Sequence, residues 1–280
     1  MKSHETFVVP ESDYYIYSPS KFALDALFYP MQCGRFLYQP GYSLHRDSFD
    51  SYLLMYIREG SLHLTCEQKS FHAKAGNFIF LDCYKEHAYS TETGADCLWC
   101  HFDGITARAC HTAVNTKLGT VFTLPDTKLS QGRLSSIFET FQTGATVHEP
   151  LLSKYLTDIL TEFLLYTPVK GTDYRNPNMV EEIITYINEH FADNISVEEL
   201  ADLACLSTYH FIRTFKKETG YTPHEYIVNS RIASAKYLLK NTDLLVKDIC
   251  FHCGFSCESV FCSAFKRHEK ITPAQYRALS

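Results

Sequence analysis

Phe215-Lys216-Lys217 returns fifty residues later as Phe265-Lys266-Arg267, and Thr222-Pro223-x-x-Tyr226 returns at the same offset as Thr272-Pro273-x-x-Tyr276. Just upstream, Leu200-Ala201-x-x-Ala204-x-Leu206-Ser207 returns as Ile249-Cys250-x-x-Cys253-x-Phe255-Ser256, at an offset of 49. One residue is gained between the two blocks. Identities that keep register over such a span mark a duplicated unit. The carboxy-terminal hundred residues must therefore build one small supersecondary structure twice.

A single unit can be read from its residue types. Ser196-x-x-Glu199 is a capping box, in which a serine oxygen and a glutamate satisfy free amides at a helix start. Leu200, Leu203 and Ala204 then make an apolar stripe, and small Ala201 and Ala204 admit a close second helix. Cys205-Leu206 forms a short turn before Ser207, which caps the next helix. In that helix Phe211 and Phe215, four apart, face inward, while Thr208, Tyr209, His210, Arg213, Lys216 and Lys217 are left for the outer face. Two helices across a tight turn, with a polar and basic outer face on the second, are a helix-turn-helix. In the second unit Phe261 and Phe265 face inward, and the outer positions are Ser256, Cys257, Ser259, Ser263, Lys266 and Arg267, with Cys262 at the flank. Short hydroxyls replace the long readers of the first helix, so this one is expected to hold phosphates and read fewer bases.

Asp248-Ile249-Cys250-x-x-Cys253-Gly254-Phe255-Ser256, then Phe261-x-x-x-Phe265-Lys266-Arg267, then Thr272-Pro273-x-x-Tyr276-Arg277 resembles the signature of the AraC/XylS family of transcription regulators over roughly residues 180–280. Two positions depart from it: Lys270 stands where glycine is usual, and Ser263 where arginine is frequent. The resemblance implies double-stranded DNA and RNA polymerase as partners, a homodimer, and activation in response to a small-molecule effector, a sugar or related metabolite. It also implies an amino-terminal cupin-like effector barrel followed by dimerising helices.

The amino-terminal half can be read independently. Up to about Gly104 the chain reads as strands: Ser51–Ile57, the alternating Leu62, Leu64 and Cys66, and Phe78–Leu81, punctuated by turn signals at Gly41, Gly60, Gly76 and Gly94. An antiparallel sandwich or barrel follows from that spacing. From Leu129 the apolar period becomes helical, through Leu134, Ile137, Phe138 and Phe141 and then Leu152, Tyr155, Leu156, Ile159, Leu160, Phe163 and Leu164. The fold class expected is α+β: an antiparallel β-barrel with dimerising helices over 1–167, a Pro/Gly-containing linker over 168–178, and an all-α domain of two helix-turn-helix units over 179–280. Arg46, Asp50-x-x-Leu53-x-x-Tyr56, Gly60, Gly76, His87 and His101-Phe102-x-Gly104 are similar to the pattern of the family's barrel. Arg46, Tyr84, His87, Trp99 and His101 are the candidate effector-binding residues, with ordinary packing as the alternative role.

Charge does not advertise a nucleic-acid partner. The chain carries a net −6, and residues 178–280 hold 11 Lys and Arg against 13 Asp and Glu. DNA binding must rest on where charges sit. Eleven cysteines, an odd number, suit a reducing compartment better than a disulfide framework. No stretch approaches the roughly 20 apolar residues that cross a bilayer, and the opening residues hold no apolar run of the kind a secretory signal needs. A cytoplasmic protein without membrane partner is expected.

Two rival chemistries compete with this reading. Cys250-x-x-Cys253 with Cys257 and Cys262 resembles metal spacing, which keeps a thiol- or metal-sensing regulator open. Yet Cys250 and Cys253 fall on the positions of Ala201 and Ala204, where a small apolar residue packs between helices. Cys97-Leu98-Trp99-Cys100 fits a strand edge with its thiols on opposite faces. A cupin enzyme needs several histidines and a glutamate around a metal; His45 is followed by Arg46 and Asp47, and His87 stands alone. No nucleophile–base constellation or phosphate-cradling glycine loop appears. The expectation is a non-enzyme with no metal and no cofactor.

Overall fold

The computed structural model describes residues 2–3, 5–166 and 179–279, and the stretch read as a linker lies outside them. The chain divides into two compact units, 1–170 and 171–280.

The first unit is built from β1 (Asp13–Ile16), α1 (Lys21–Ala26), β2 (Phe28–Tyr38), β3 (Ser43–Arg46), β4 (Tyr52–Cys66), β5 (Lys69–Lys74), β6 (Phe78–Asp82), β7 (His87–Ser90), β8 (Ala95–Gly104), α2 (Ala107–Leu118), β9 (Val121–Phe122), α3 (Lys128–Gln142) and α4 (Glu149–Leu165). All strand pairs are antiparallel. One layer runs β1-β2-β8-β4-β6-β9; the other joins β3, β7 and β5 through the far half of β4. Gly60 is not the turn its sequence context suggested. It lies inside β4, which pairs with β6 up to Tyr56 and with β8 up to Gly60, then with β5 from Ser61 and with β7 from His63. A bulge between Ile57 and Glu59 bends the strand there, and Gly60 takes φ +75° with no room for a Cβ against Gly94 O. A single bent strand thus closes two layers into a barrel.

Period-two alternation sorts β8 between two cores. Cys97 and Trp99 point into the barrel with Phe36, Leu53, Met55, Leu62 and Leu64. Leu98, Cys100 and Phe102 point out, where α2, α3 and α4 cover them through Val114, Leu134, Ile137, Leu156, Ile159 and Phe163. Cys97 and Cys100 do face opposite sides, but β8 is a central strand between β2 and β4, not an edge. Helix α2 was not read from the sequence, although Ala107, His111 and Val114 form its buried stripe.

The second unit consists of α5 (Met179–His190), α6 (Val197–Leu203), α7 (Thr208–Thr219), α8 (Pro223–Asn241), α9 (Val246–His252), α10 (Glu258–Glu269) and α11 (Pro273–Ala278). It has two small cores. Ile183, Ile187, Leu200, Phe211, Phe215 and Ile227 make the first. Ile232, Ala235, Leu239, Ile249, Cys250, Cys253, Phe261 and Phe265 make the second. Helix α8 feeds both, with Ile227 near one end and Leu239 near the other. Arg231 at its middle donates to the carbonyls of Phe191 at 2.7 Å and Asp193 at 2.8 Å and sits over the Phe255 ring. Gly254, at φ +77°, lets the backbone of Ala192 approach where a Cβ would lie 2.5 Å from its carbonyl oxygen. These contacts couple the two helix-turn-helix units.

One apolar assignment differs. Leu203 is 56% exposed, so the inner stripe of α6 is Leu200 and Ala201, with Ala204 half-buried at its end. The burial of residues 211–220 matches that of 261–270 position for position. The correspondence includes the helix ends: Gly220 closes α7 at φ 81°, and Lys270 closes α10 at φ 68°, each donating its amide to the carbonyl four residues back at 2.9 Å. A lysine in this left-handed region carries a steric cost of roughly 1–2 kcal/mol that glycine avoids, partly offset by glycine's greater loss of backbone freedom. Lys270→Gly is therefore expected to stabilise the helical unit by up to about 1 kcal/mol. Denaturant unfolding followed by circular dichroism at helical wavelengths checks it; a lowered midpoint would show that the cap is not strained.

Candidate nucleic-acid interface and barrel cavity

Helices α7 and α10 present the expected outer residues. Ser207 caps α7 by accepting from the His210 amide, and Phe211 and Phe215, both fully buried and 5.6 Å apart between ring centroids, fix which side turns inward. Tyr209, at 77% exposure, Arg213, Lys216 and Lys217 then stand in solvent, with Thr208 and His210 half-buried. His210 Nδ1 lies 3.4 Å from Thr214 Oγ1, one turn along the same helix. In α10, Phe261 and Phe265 take the inner places, and Ser259, Ser263, Lys266 and Arg267 are exposed. Ser256 and Cys257 are exposed just before the helix, and Cys262 is half-buried at its flank.

The extra residue of the second unit lies in its turn. Two residues separate the end of α6 at Ala204 from the cap Ser207, whereas three separate Cys253 from Cys257. Ser256 therefore does not cap α10; Cys257 occupies that place without a side-chain cap bond. Its thiol is drawn below the usual range by hydrogen bonding to Ser259 Oγ and to nearby backbone amides. Cys250 and Cys253 are fully buried between helices, and burial raises both thiols. Among the described residues no three His, Cys, Asp or Glu side chains are grouped so as to hold a metal ion.

The barrel holds a partly open cavity of about 120 Å³, lined by Glu5, Tyr14, Gln32, Phe36, Tyr38, Tyr42, Leu44, Arg46, Leu53, Met55, Tyr89, Trp99 and His101. Of the five candidates, Arg46, Trp99 and His101 meet there. Register explains the convergence of two of them, since Trp99 and His101 are alternate residues of β8 and share its inner face. The Trp99 ring packs edge-on against Phe36 at 5.1 Å and His101 at 5.6 Å, and its buried indole N–H has no hydrogen-bond partner among the described residues. His101 Nδ1 pairs with Ser51 Oγ at 2.8 Å. Burial, aided by the positive charge of Arg46, pulls its imidazole down to about 3, so it is neutral at any working pH. Arg46 lies over the Phe49 ring at 4.8 Å. Tyr42 donates to Glu5 Oε2 at 3.1 Å, and burial pushes the Tyr89 phenol up to about 12.

Tyr84 and His87 are not among the residues lining this cavity. Tyr84 donates to Asp103 and packs on Tyr52. His87 is buried with Nδ1 on Lys85 O at 2.8 Å, and it lines a separate groove of about 440 Å³ with His45, Glu67, Lys85 and Glu86. Four further lining residues are tyrosines, Tyr14, Tyr38, Tyr42 and Tyr89. Phe36-x-Tyr38, with both rings on one face of β2, is a local signal for Tyr38 alone.

The model for an AraC-like ligand binding domain matches residues 29–159, and that for a helix-turn-helix domain matches residues 200–279. The chain is 33% identical over 109 residues to the HTH-type transcriptional activator RhaS of Enterobacter sp. (strain 638), covering 39% of this chain and 39% of that protein. It thus spans about two-fifths of that relative's length. Similarity to the Msm operon regulatory protein of Streptococcus mutans is lower but longer: 25% identity over 251 residues, 85% of this chain and 87% of that one. An uncharacterised HTH-type transcriptional regulator of Haemophilus influenzae is likewise 25% identical over 260 residues. The ligand-binding match falls on the barrel and its helices and the helix-turn-helix match on the twin units, in that order along one chain, and on this ground the chain belongs to the AraC family.

Proposed function

We propose that the chain is an effector-responsive, sequence-specific DNA-binding transcription regulator. The observation that carries this reading is the pair of recognition helices α7 and α10, equivalent in burial yet different in outer chemistry. Helix α8, at 19 residues, spans roughly 28 Å between the two units. That length suits helices entering successive major grooves, roughly 34 Å apart. Affinity comes from lysine and arginine contacts to phosphate, while bases are read by side chains that reach their edges. Arg213 can grip guanine with two hydrogen bonds; Ser259 and Ser263 offer single hydroxyls. Ser256, Cys257, Cys262, Lys266 and Arg267 complete the second contact surface, as Thr208, Tyr209, His210, Lys216 and Lys217 do the first.

The barrel cavity is the effector site in this reading, with Arg46, Trp99 and His101 as binding residues and an oxygen-rich metabolite, of the class to which sugars belong, as occupant. The helices α3 and α4 join two copies, and the dimer activates transcription with RNA polymerase. Binding to the genome places the chain in the cytoplasm, where its free cysteines stay reduced. No helix of the described residues is long and apolar enough to cross a membrane. The reading assigns no catalytic step to the chain.

Arg213→Ala is expected to weaken operator binding by about 1–3 kcal/mol and relax preference at one position in each half-site. Lys266→Ala should weaken binding to all sequences alike and lower the salt slope by about one. Selection of sites from random DNA with both variants distinguishes the helices, and the reverse pattern would exchange their roles. The double variant Cys250→Ala, Cys253→Ala restores the residue types of the first unit and is expected to keep operator affinity within about threefold, because these cysteines act as small core residues. A large loss, or metal released from the wild type on denaturation, would favour the sensor reading instead.

A further inference from the structure

The barrel cavity constrains its ligand in size and in charge, and both constraints deepen the effector reading on which this inference rests. At about 120 Å³ the cavity is smaller than the roughly 150 Å³ that holds benzene in an engineered protein core. The lining carries one cation, Arg46, and one carboxylate, Glu5. Arg46 has no ion pair among the described residues; its nearest described partner is the face of Phe49. Glu5 accepts from Tyr42 and keeps further acceptor capacity. His101 is neutral, and the indole N–H of Trp99 is a buried donor awaiting an acceptor. Leaving such a donor unmet costs roughly 1–3 kcal/mol, which a ligand oxygen would recover.

We propose that the cavity binds a small carboxylic acid bearing a hydrogen-bond donor on the adjacent carbon: the carboxylate on Arg46 and the Trp99 N–H, the donor on Glu5. Guanidinium and carboxylate form a charge-assisted pair that a neutral sugar cannot supply. Two sources share this chemistry, an α-hydroxy acid and an α-amino acid, according to whether a hydroxyl or an ammonium meets Glu5.

The chain holds one tryptophan, and it is Trp99, so emission from the full-length protein reports the cavity directly. The probes are L-lactate and D-glycerate for the hydroxy acids, L-alanine and L-serine for the amino acids, propionate for a carboxylate without the donor, and glycerol and D-xylose as neutral polyols. A saturable change in emission is expected with one of the two acid pairs, which identifies the source. Propionate and the polyols should bind at least about tenfold more weakly, and Arg46→Gln should weaken the acid by about tenfold or more, with Arg46→Lys recovering part of it. Circular dichroism of each variant separates lost binding from lost folding. Saturable binding of xylose that Arg46→Gln leaves unchanged overturns the acid while the effector reading stands. An emission unmoved by every probe also overturns the acid. The effector reading falls separately, if a small-molecule extract of cells changes neither Trp99 emission nor operator affinity.

Discussion

Two phenylalanines one turn apart, buried against neighbouring helices, hold each recognition helix in place. Helices of 12 residues such as α7 and α10 are marginal alone in water. Phe211 with Phe215, and Phe261 with Phe265, anchor them by complete burial, and truncating one such ring costs roughly 3–5 kcal/mol. With the inner face fixed in this way, the residues left outside are determined by the helical period. The outer surface of each helix is thus a consequence of core packing, and its chemistry is free to differ between units.

Helix α8 ties the two small cores into one domain. Neither core is large, and each draws on α8 for part of its apolar surface. The Arg231 bonds to the 191–193 backbone and the close approach at Gly254 add directional contacts between the units. In the proposed function this spacing matters, because two helices bind successive major grooves together only when both are in register with the duplex.

In the barrel the corresponding constraint is β4. A strand that belongs to both layers places Leu53 and Met55 on the same interior as Leu62 and Leu64, and the bulge with Gly60 lets it turn between them. The interior is mostly apolar, so its few polar groups stand out energetically. Trp99, His101 and Arg46 sit in a small aromatic enclosure where an unpaired donor or charge is costly. An occupant that satisfied these groups would recover that cost.

Much of the helical half was legible without coordinates. Capping boxes, the four-residue spacing of phenylalanines and the repeat itself all depend on contacts within a few residues, so Ser196, Ser207, Phe211 and Phe261 could be placed from the sequence alone. The limits appeared where a neighbour from elsewhere decides: Leu203 fits the stripe of α6 by spacing, yet no partner covers it, and Cys257 rather than Ser256 begins α10 because the extra residue falls in the turn. The barrel was legible as a class of fold but not as a site. Arg46, Trp99 and His101 come together, with Tyr14, Tyr42 and Tyr89 that no local pattern marks, only through the pairing of strands tens of residues apart; Tyr84 and His87, equally suggestive as residue types, are directed elsewhere by the same pairing. Local periodicity determined α7 and α10, and long-range strand register decided the cavity.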